Sequence, residues 1–186
     1  MWLWIMKGGS GWSRNPGCMN ERRVWQGNQS MSIERAREYL KKWNKDSHIK
    51  EFEVSSATVA LAAEALNTEE ANIAKSLSFK IETKGILIVV AGDVKVDNRK
   101  FKDEFNCKAV MLSPVEVEAM IGHEIGGVCP FGINEGVEVY LDVSLKRLDT
   151  LYPACGSPNS AIQLSCGELE ELAKPRKWVD VCKMKN

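Results

Sequence analysis

Lys75 is the residue whose setting in the chain says most about chemistry. The stretch Lys75-Ser76-Leu77-Ser78-Phe79-Lys80-Ile81-Glu82 alternates with a period of two, and Lys75 shares parity with Leu77, Phe79 and Ile81. A lysine at the end of an inward, apolar strand face puts its ammonium at the mouth of a core pocket. Desolvation there lowers its pKa, and a bound phosphate or carbonyl favours the cation. The pattern also fits a strand that starts one residue later and leaves Lys75 a solvated flank. A second feature is the loop Gly122-His123-Glu124-Ile125-Gly126-Gly127-Val128-Cys129-Pro130-Phe131-Gly132. Glycines allow close backbone approach to a ligand, and successive N–H groups can form a nest for an anion or a carbonyl. Equally, such a loop can be a long connection that needs positive φ angles. No Gly-Lys-Ser/Thr follows it, so it is not a P-loop, and no strand feeds it as a dinucleotide fingerprint requires.

Other chemistry is less supported. His123 could be a general base or a solvated loop residue. Cys129 and Cys155 could be nucleophiles, but no His or Asp arrangement in the sequence supports either, and small buried filler is the better reading. The six cysteines, at 18, 107, 129, 155, 166 and 182, contain no C-x-x-C, and there are only two histidines. That spacing suits no zinc site, and reduced thiols are expected. There is no G-x-S-x-G and no paired-carboxylate signature. Neither a metal nor a cofactor is expected.

The elements that would position these residues follow from periodicity. Ile33, Ala36, Leu40 and Trp43 predict a helix from Ser32. Residues 49–54 read as a short strand and 57–66 as an alanine-rich helix ending near Asn67. After the Lys75 strand, Ile86-Leu87-Ile88-Val89-Val90-Ala91 is apolar on both faces and predicts a central buried strand. Residues 97–105 predict a helix with Phe101 and Phe105 four apart, and 109–112 a short strand. Ser113-Pro114-Val115-Glu116 is a capping box with proline at the first helical position, opening a helix that stops at Gly122. Residues 137–143 alternate as a half-buried strand. Residues 152–163 read as two extended pieces around a Gly156-Ser157-Pro158-Asn159 turn. Ser165 and Glu168 form a second capping box, with Pro175 after the helix, and residues 178–182 suggest a last strand.

The 186 residues fit one domain, and 44% hydrophobic with 27% charged residues is a folded, globular composition. Lysine plus arginine number 25 and so do aspartate plus glutamate, which argues against a protein that coats nucleic acid non-specifically. Local basic groups remain: Arg35, Arg37, Lys41, Lys42 and Lys45 early, and Lys174, Arg176, Lys177, Lys183 and Lys185 late. The longest unbroken aliphatic run is six residues, against about 20 for a membrane span. Residues 1–30 hold four of the six tryptophans and five of the fourteen glycines without a sustained period. They read as an extension, with the domain expected over 31–186. A genuine arm whose tryptophans dock on the domain is the alternative.

Several segments together resemble the YbaK/prolyl-tRNA synthetase-associated domain family. They are Ala62-Ala63-Glu64-Ala65-Leu66, Ile73-Ala74-Lys75-Ser76-Leu77-Ser78-Phe79, Ala91-Gly92-Asp93, Gly126-Gly127-Val128-Cys129-Pro130-Phe131-Gly132, and Cys155-Gly156-Ser157 with Ile162-Gln163-Leu164. The resemblance runs in order over about residues 31–182. It implies a single α/β domain of the α+β type, with a curved, mixed, partly barrel-like sheet and flanking helices. It also implies hydrolysis of mischarged aminoacyl-tRNA, typically cysteine or alanine on proline tRNA, with prolyl-tRNA synthetase as a partner; the expectation of reduced thiols points to the cytoplasm. Lys75 falls on the family's functional lysine. Gly126, Gly127, Val128, Cys129 and Pro130 fall on its G-x-x-x-P substrate loop, and Gly156 with Ser157 on its late glycine turn. The chain departs at Cys155, where a small alanine-like residue is more usual, and at Cys129 inside the loop. Two alternatives are a non-catalytic module that binds a tRNA end or a nucleotide, and an interaction domain that joins a synthetase.

Overall fold

A computed structural model describes residues 21–53 and 58–185. Its elements in chain order are α1 (Glu21–Lys41), β1 (Ile49–Glu51), α2 (Val59–Leu66), β2 (Ile73–Ile81), β3 (Lys84–Ala91), β4 (Val94–Val96) and α3 (Asn98–Phe105). They continue with α4 (Pro114–Met120), β5 (Glu138–Asp142), β6 (Tyr152–Pro153), β7 (Ser160–Ile162), α5 (Cys166–Ala173), β8 (Lys177–Val179) and β9 (Cys182–Met184). Short 3₁₀ turns, Glu70–Asn72 and Val143–Arg147 among them, join some of these. The fold is the expected mixed α+β type, with a curled five-stranded half-barrel sheet.

Strand β3 organises this sheet. Its apolar run is buried completely, and it lies third in the order β6-β2-β3-β5-β8. It pairs antiparallel with β2, from Ala74 opposite Ala91 to Ile81 opposite Lys84, and parallel with β5. Two antiparallel ribbons, β1 with β7 and β4 with β9, form separate two-stranded sheets. The helices start where local chemistry dictates. Ser113 and Ser165 each accept from the N3 backbone while Glu116 and Glu168 reach back, so both capping boxes form. Asp97 caps α3 through the N–H groups of Arg99 and Lys100. On one face of the sheet an aromatic chain runs through Phe79, Phe101, Phe105 and Tyr140, with ring centroids 4.7–5.1 Å apart. These tilted and edge-on contacts are the favoured geometry for such pairs.

Several elements differ from the periodicity, and β4 has no counterpart in it. Helix α1 begins at Glu21, eleven residues before Ser32. Residues 1–20, with Trp2, Trp4 and Trp12, lie outside the described residues. Residues 109–112 make no strand. The segment only bridges Phe79 at Met111 and exchanges single bonds with β2 at Lys80 and Ser78, because Ser113 caps α4 at once and ends the extended run. The last strand is two, in different sheets. The break falls at Asp180-Val181, where the Val181 N–H donates to the Asp142 carboxylate at 2.9 Å instead of continuing a ladder. Strand β1 stops at Glu51, short of the expected residue 54.

Phe101 is fully buried and is the middle ring of the aromatic chain. Phe101→Ala should cost about 3–5 kcal/mol, the usual range for emptying such a site. Urea unfolding should show a lower midpoint at unchanged m-value; a midpoint within error of the wild type would contradict this packing.

Candidate functional site

Strand β2 is covered along one edge by β3 but only in parts along the other. Pairing with β6 ends at Ala74 opposite Pro153. The 109–112 segment takes over only at Ser78, whose C=O accepts from the Leu112 N–H, and at Lys80, whose N–H donates to Val110. Backbone direction alternates along a strand. The Ser76 backbone therefore faces the same edge as those of Ala74, Ser78 and Lys80, and among the described residues no strand pairs with it on that outer edge, while Val89 lies opposite it on the other. A cavity of about 390 Å³ opens at this interruption. Its walls are mostly apolar, with Val59 and Leu66 from α2, Met111 just before α4, Val117 from α4, and Ile125 and Val128 from the glycine-rich loop. Among the described residues that line it, Lys75 is the only charged one. The Ser76 hydroxyl is buried with no hydrogen-bond partner among the described residues.

Lys75 stands inside β2, opposite Val90, so it is not a solvated flank of a strand that begins later. Its side chain is half-buried, and its Nζ donates to the Gly92 carbonyl at 3.3 Å and to the Val94 carbonyl. Two of its three donors therefore have backbone acceptors. Desolvation pulls its pKa below the ordinary lysine value, helped by the nearby Lys185 ammonium, while Cys182, Asp93 and Glu70 pull the other way. No spacing marks the Gly92-Asp93 turn as the holder of this ammonium; its one signal is Ala91-Gly92-Asp93 in the family resemblance.

The loop has two layers. Gly126, at φ +94°, and Val128 line the cavity. Gly127, Cys129, Pro130, Gly156 and Ser157 do not line it; most of them lie behind, holding the loop. A Cβ on Gly127 would stand 2.5 Å from the backbone of Gly156 and Ser157, and the Gly156 N–H donates to the Gly127 carbonyl at 3.0 Å. Glycine is thus needed at 127 for backbone packing and not for a positive φ. Gly156, at φ +85°, abuts the Ser32 carbonyl of α1, where a Cβ would stand 2.3 Å away. Ser157 Oγ bonds Ser160 Oγ at 2.7 Å and Asn159 at 3.0 Å. Pro130 lines a different depression with Tyr39 and Ile133.

Two expectations about reactive side chains need correction. His123 is not solvated but buried at 1% exposure, and it does stand beside Cys129, with Nδ1 3.4 Å from Sγ. The loop folds the two together although six residues separate them. This is nevertheless no activated pair. The Cys129 N–H donates to Nδ1, so Nδ1 is the acceptor and the neutral ring carries its proton on Nε2. Burial pushes the Cys129 thiol up to about 12, and burial with the Arg35 charge pushes His123 down to about 4. Proton transfer from that thiol to that imidazole is far uphill. Cys155 is also fully buried with its thiol pKa raised, chiefly by desolvation. Cys107, Cys129, Cys155, Cys166 and Cys182 are all free.

The basic groups lie off the cavity and are largely paired. Arg37 meets Glu51 at 2.6 Å, Lys45 meets Glu168 at 2.5 Å, Lys183 meets Asp97 at 2.9 Å, and Arg176 and Lys177 meet Glu138 and Glu104. Among the described residues no three His, Cys, Asp or Glu side chains gather as a metal would require, and no helix is long and apolar enough to cross a membrane.

Two outcomes follow from the loop. His123 titrates near 4 when folded against 6.5 when free, so the unfolded chain takes up the proton first. Stability should be full above pH 6.5 and fall as pH drops towards 4. The carboxylates Asp97, Glu116 and Glu168, held near 2, begin to lose their contributions only as pH falls through their free values of 3.8 to 4.5. Thermal melts should decline between pH 6.5 and 5, and His123→Gln should flatten that limb; an equal decline in the variant would assign it elsewhere. Gly127→Ala should force the 127 and 156 backbones apart and lower the melting temperature by several degrees. Cys129→Ala, without a covalent role, should keep at least a tenth of any turnover, and its complete inactivity with the fold intact would restore cysteine as a nucleophile.

Residues 53–172 match the Aminoacyl-tRNA editing domain family. The chain is 54% identical over 154 residues to YwhH of Bacillus subtilis strain 168, itself uncharacterized, covering 82% of this chain and 98% of that one. It is 35% identical over 84 residues to the proline–tRNA ligase of Bacillus cytotoxicus, which is 45% of this chain but only 15% of the ligase. A solved structure described as a candidate trans-editing enzyme for prolyl tRNA synthetase superposes with a TM-score of 0.74 at 28% identity, covering 82% of this chain and 97% of that one. With the matched family spanning both Lys75 and the glycine-rich loop, the chain belongs to the aminoacyl-tRNA editing domain family.

Proposed function

We propose that this protein hydrolyses the ester of mischarged aminoacyl-tRNA in trans. The observation that carries the reading is Lys75, the one charged residue among the described residues that line a mostly apolar cavity at an interrupted sheet edge. The volume, about 390 Å³, suits one aminoacyl group and part of a terminal ribose. An aminoacyl ester is already activated, so a water or the terminal ribose hydroxyl placed against its carbonyl supplies much of the barrier reduction. Ser76, Gly126 and Val128 line the cavity, and in this reading their backbone N–H groups meet the carbonyl and its developing oxyanion. Lys75 uses its remaining donor on the terminal phosphate or ribose. Gly127, Cys129, Pro130, Gly156 and Ser157 act from behind the wall by fixing the loop that presents Gly126 and Val128. This mechanism needs no thiol and no imidazole, which accords with the inert Cys129–His123 pair.

The finer reading is cysteine or alanine removed from proline tRNA, with prolyl-tRNA synthetase as the partner whose errors are cleared. It is supported by the likeness to the proline–tRNA ligases and by the name of the structural neighbour. A small apolar side chain fits walls built from valine, leucine, isoleucine and methionine.

Lys75→Ala should lower kcat/KM for deacylation at least a hundredfold, about 2.7 kcal/mol of transition-state stabilisation, while the melting temperature stays within a few degrees. Lys75→Arg should also be poor, since a planar guanidinium does not replace a compact ammonium between two carbonyls. A deacylation time course with several mischarged tRNAs is the measurement. Activity of Lys75→Ala within threefold of wild type would remove the lysine from the mechanism, and tRNA binding without turnover by the wild type would make the chain a binding module.

A further inference from the structure

The turn between β3 and β4, residues 91–94, holds Lys75 and is itself held from several sides. The Gly92 N–H donates to the Ala71 carbonyl at 3.4 Å, and a Cβ on Gly92 would stand 1.9 Å from the Glu70 carbonyl oxygen. The turn is thus pressed against the 3₁₀ turn Glu70–Asn72. From the opposite flank, Ser144 Oγ accepts from the Ala91 N–H at 3.3 Å, and Arg147 forms an ion pair with the Asp93 carboxylate. From the end of the chain, the Lys185 N–H donates to the Asp93 carbonyl at 2.9 Å, just past β9. The three consecutive carbonyls divide their work. Those of Gly92 and Val94 go to the Lys75 ammonium, and that of Asp93, between them, goes to Lys185.

We propose that Asp93 and Arg147, with the terminal segment at Lys185, are a positioning clamp for Lys75: they aim the Gly92 and Val94 carbonyls, and those carbonyls fix the ammonium beside the cavity. A lysine head on four rotatable bonds otherwise samples many positions, and ordering it is costly unless acceptors are already in place. Neither Asp93 nor Arg147 lines the cavity, so both act through Lys75 and neither is a catalytic residue. The charged and titratable groups around Lys75 are Glu70 from the 3₁₀ turn, Asp93 from its own turn, and Cys182 and Lys185 from the terminal strand and its end. Arg147 stands on Asp93.

The turnover consequences rest on the deacylase reading; the state of Lys75 does not. Asp93→Asn keeps the shape of the turn but loses the ion pair, and Arg147→Ala loses it while leaving the carboxylate. Both should lower kcat tenfold or more, with KM within twofold and the melting temperature within a few degrees. Arg147→Lys should restore most of the rate. The pKa of Lys75, read from the pH dependence of its acylation by acetic anhydride followed by peptide mass spectrometry, should move down in Asp93→Asn, because that carboxylate favours the cation. It should move up in Arg147→Ala, where the carboxylate is left without its counter-charge. Opposite shifts in one lysine with the same loss of rate are not what general destabilisation produces. The clamp is overturned if both variants keep kcat within twofold, or if Lys75 labels as in the wild type in both. If the wild type deacylates no mischarged tRNA, the functional reading fails, and the acylation profiles alone decide the clamp.

Discussion

Strand β3 carries no polar side chain from Ile86 to Ala91, so water has to be excluded from both its faces and both its edges. The architecture meets that requirement. β2 and β5 take the two edges, α3 and the aromatic chain cover one face, and the remaining strands are added outward. The site is a by-product of how this layering ends. β2 is second in the sheet, and its outer edge is covered by two short pieces, β6 and the 109–112 segment, which do not meet. The space left at Ser76 is a cavity lined by β2 itself and by α2, α4 and the glycine-rich loop.

A cation beside such a cavity is unfavourable unless something receives it. Here the receivers are backbone carbonyls, which cannot be titrated away, with Asp93 and Glu70 adding charge from outside. The loop follows the same economy. Its glycines at 126 and 127 serve different ends, one a positive φ on the cavity wall and the other contact between two backbones. A histidine beside a cysteine suggests nucleophilic chemistry when only identities and distance are considered. Burial reverses that reading, because it raises the thiol and lowers the imidazole, and both changes oppose the ion pair that attack would need.

The surface is arranged to cancel. Most lysines and arginines that cluster in sequence meet carboxylates brought from elsewhere in the chain, as Lys45 meets Glu168 and Lys183 meets Asp97. Runs of like charge in a sequence thus overstate the field that a tRNA would meet.

Local features are legible in the residues themselves. Both capping boxes, the buried β3 run, the Phe101–Phe105 spacing and the parity of Lys75 depend on neighbours within a few residues, and a period of two or 3.6 reports them directly. The segments at 109–112 and 178–182 mislead for the same reason. Each is extended in backbone, but whether extended chain becomes a strand depends on which partner lies alongside, and Ser113 and Asp142 divert these two. What only the tertiary structure decided are encounters between distant segments: Lys75 with Gly92 and Val94, Asp93 with Arg147, and Gly127 with Gly156. Such pairs leave no periodic trace, because chain closure sets them and not the spacing of side chains along any one element. The sequence by itself determined which strand is central and assigned Lys75 the parity of an apolar face; folding decided that Lys75 lies within β2 and what its ammonium would hold.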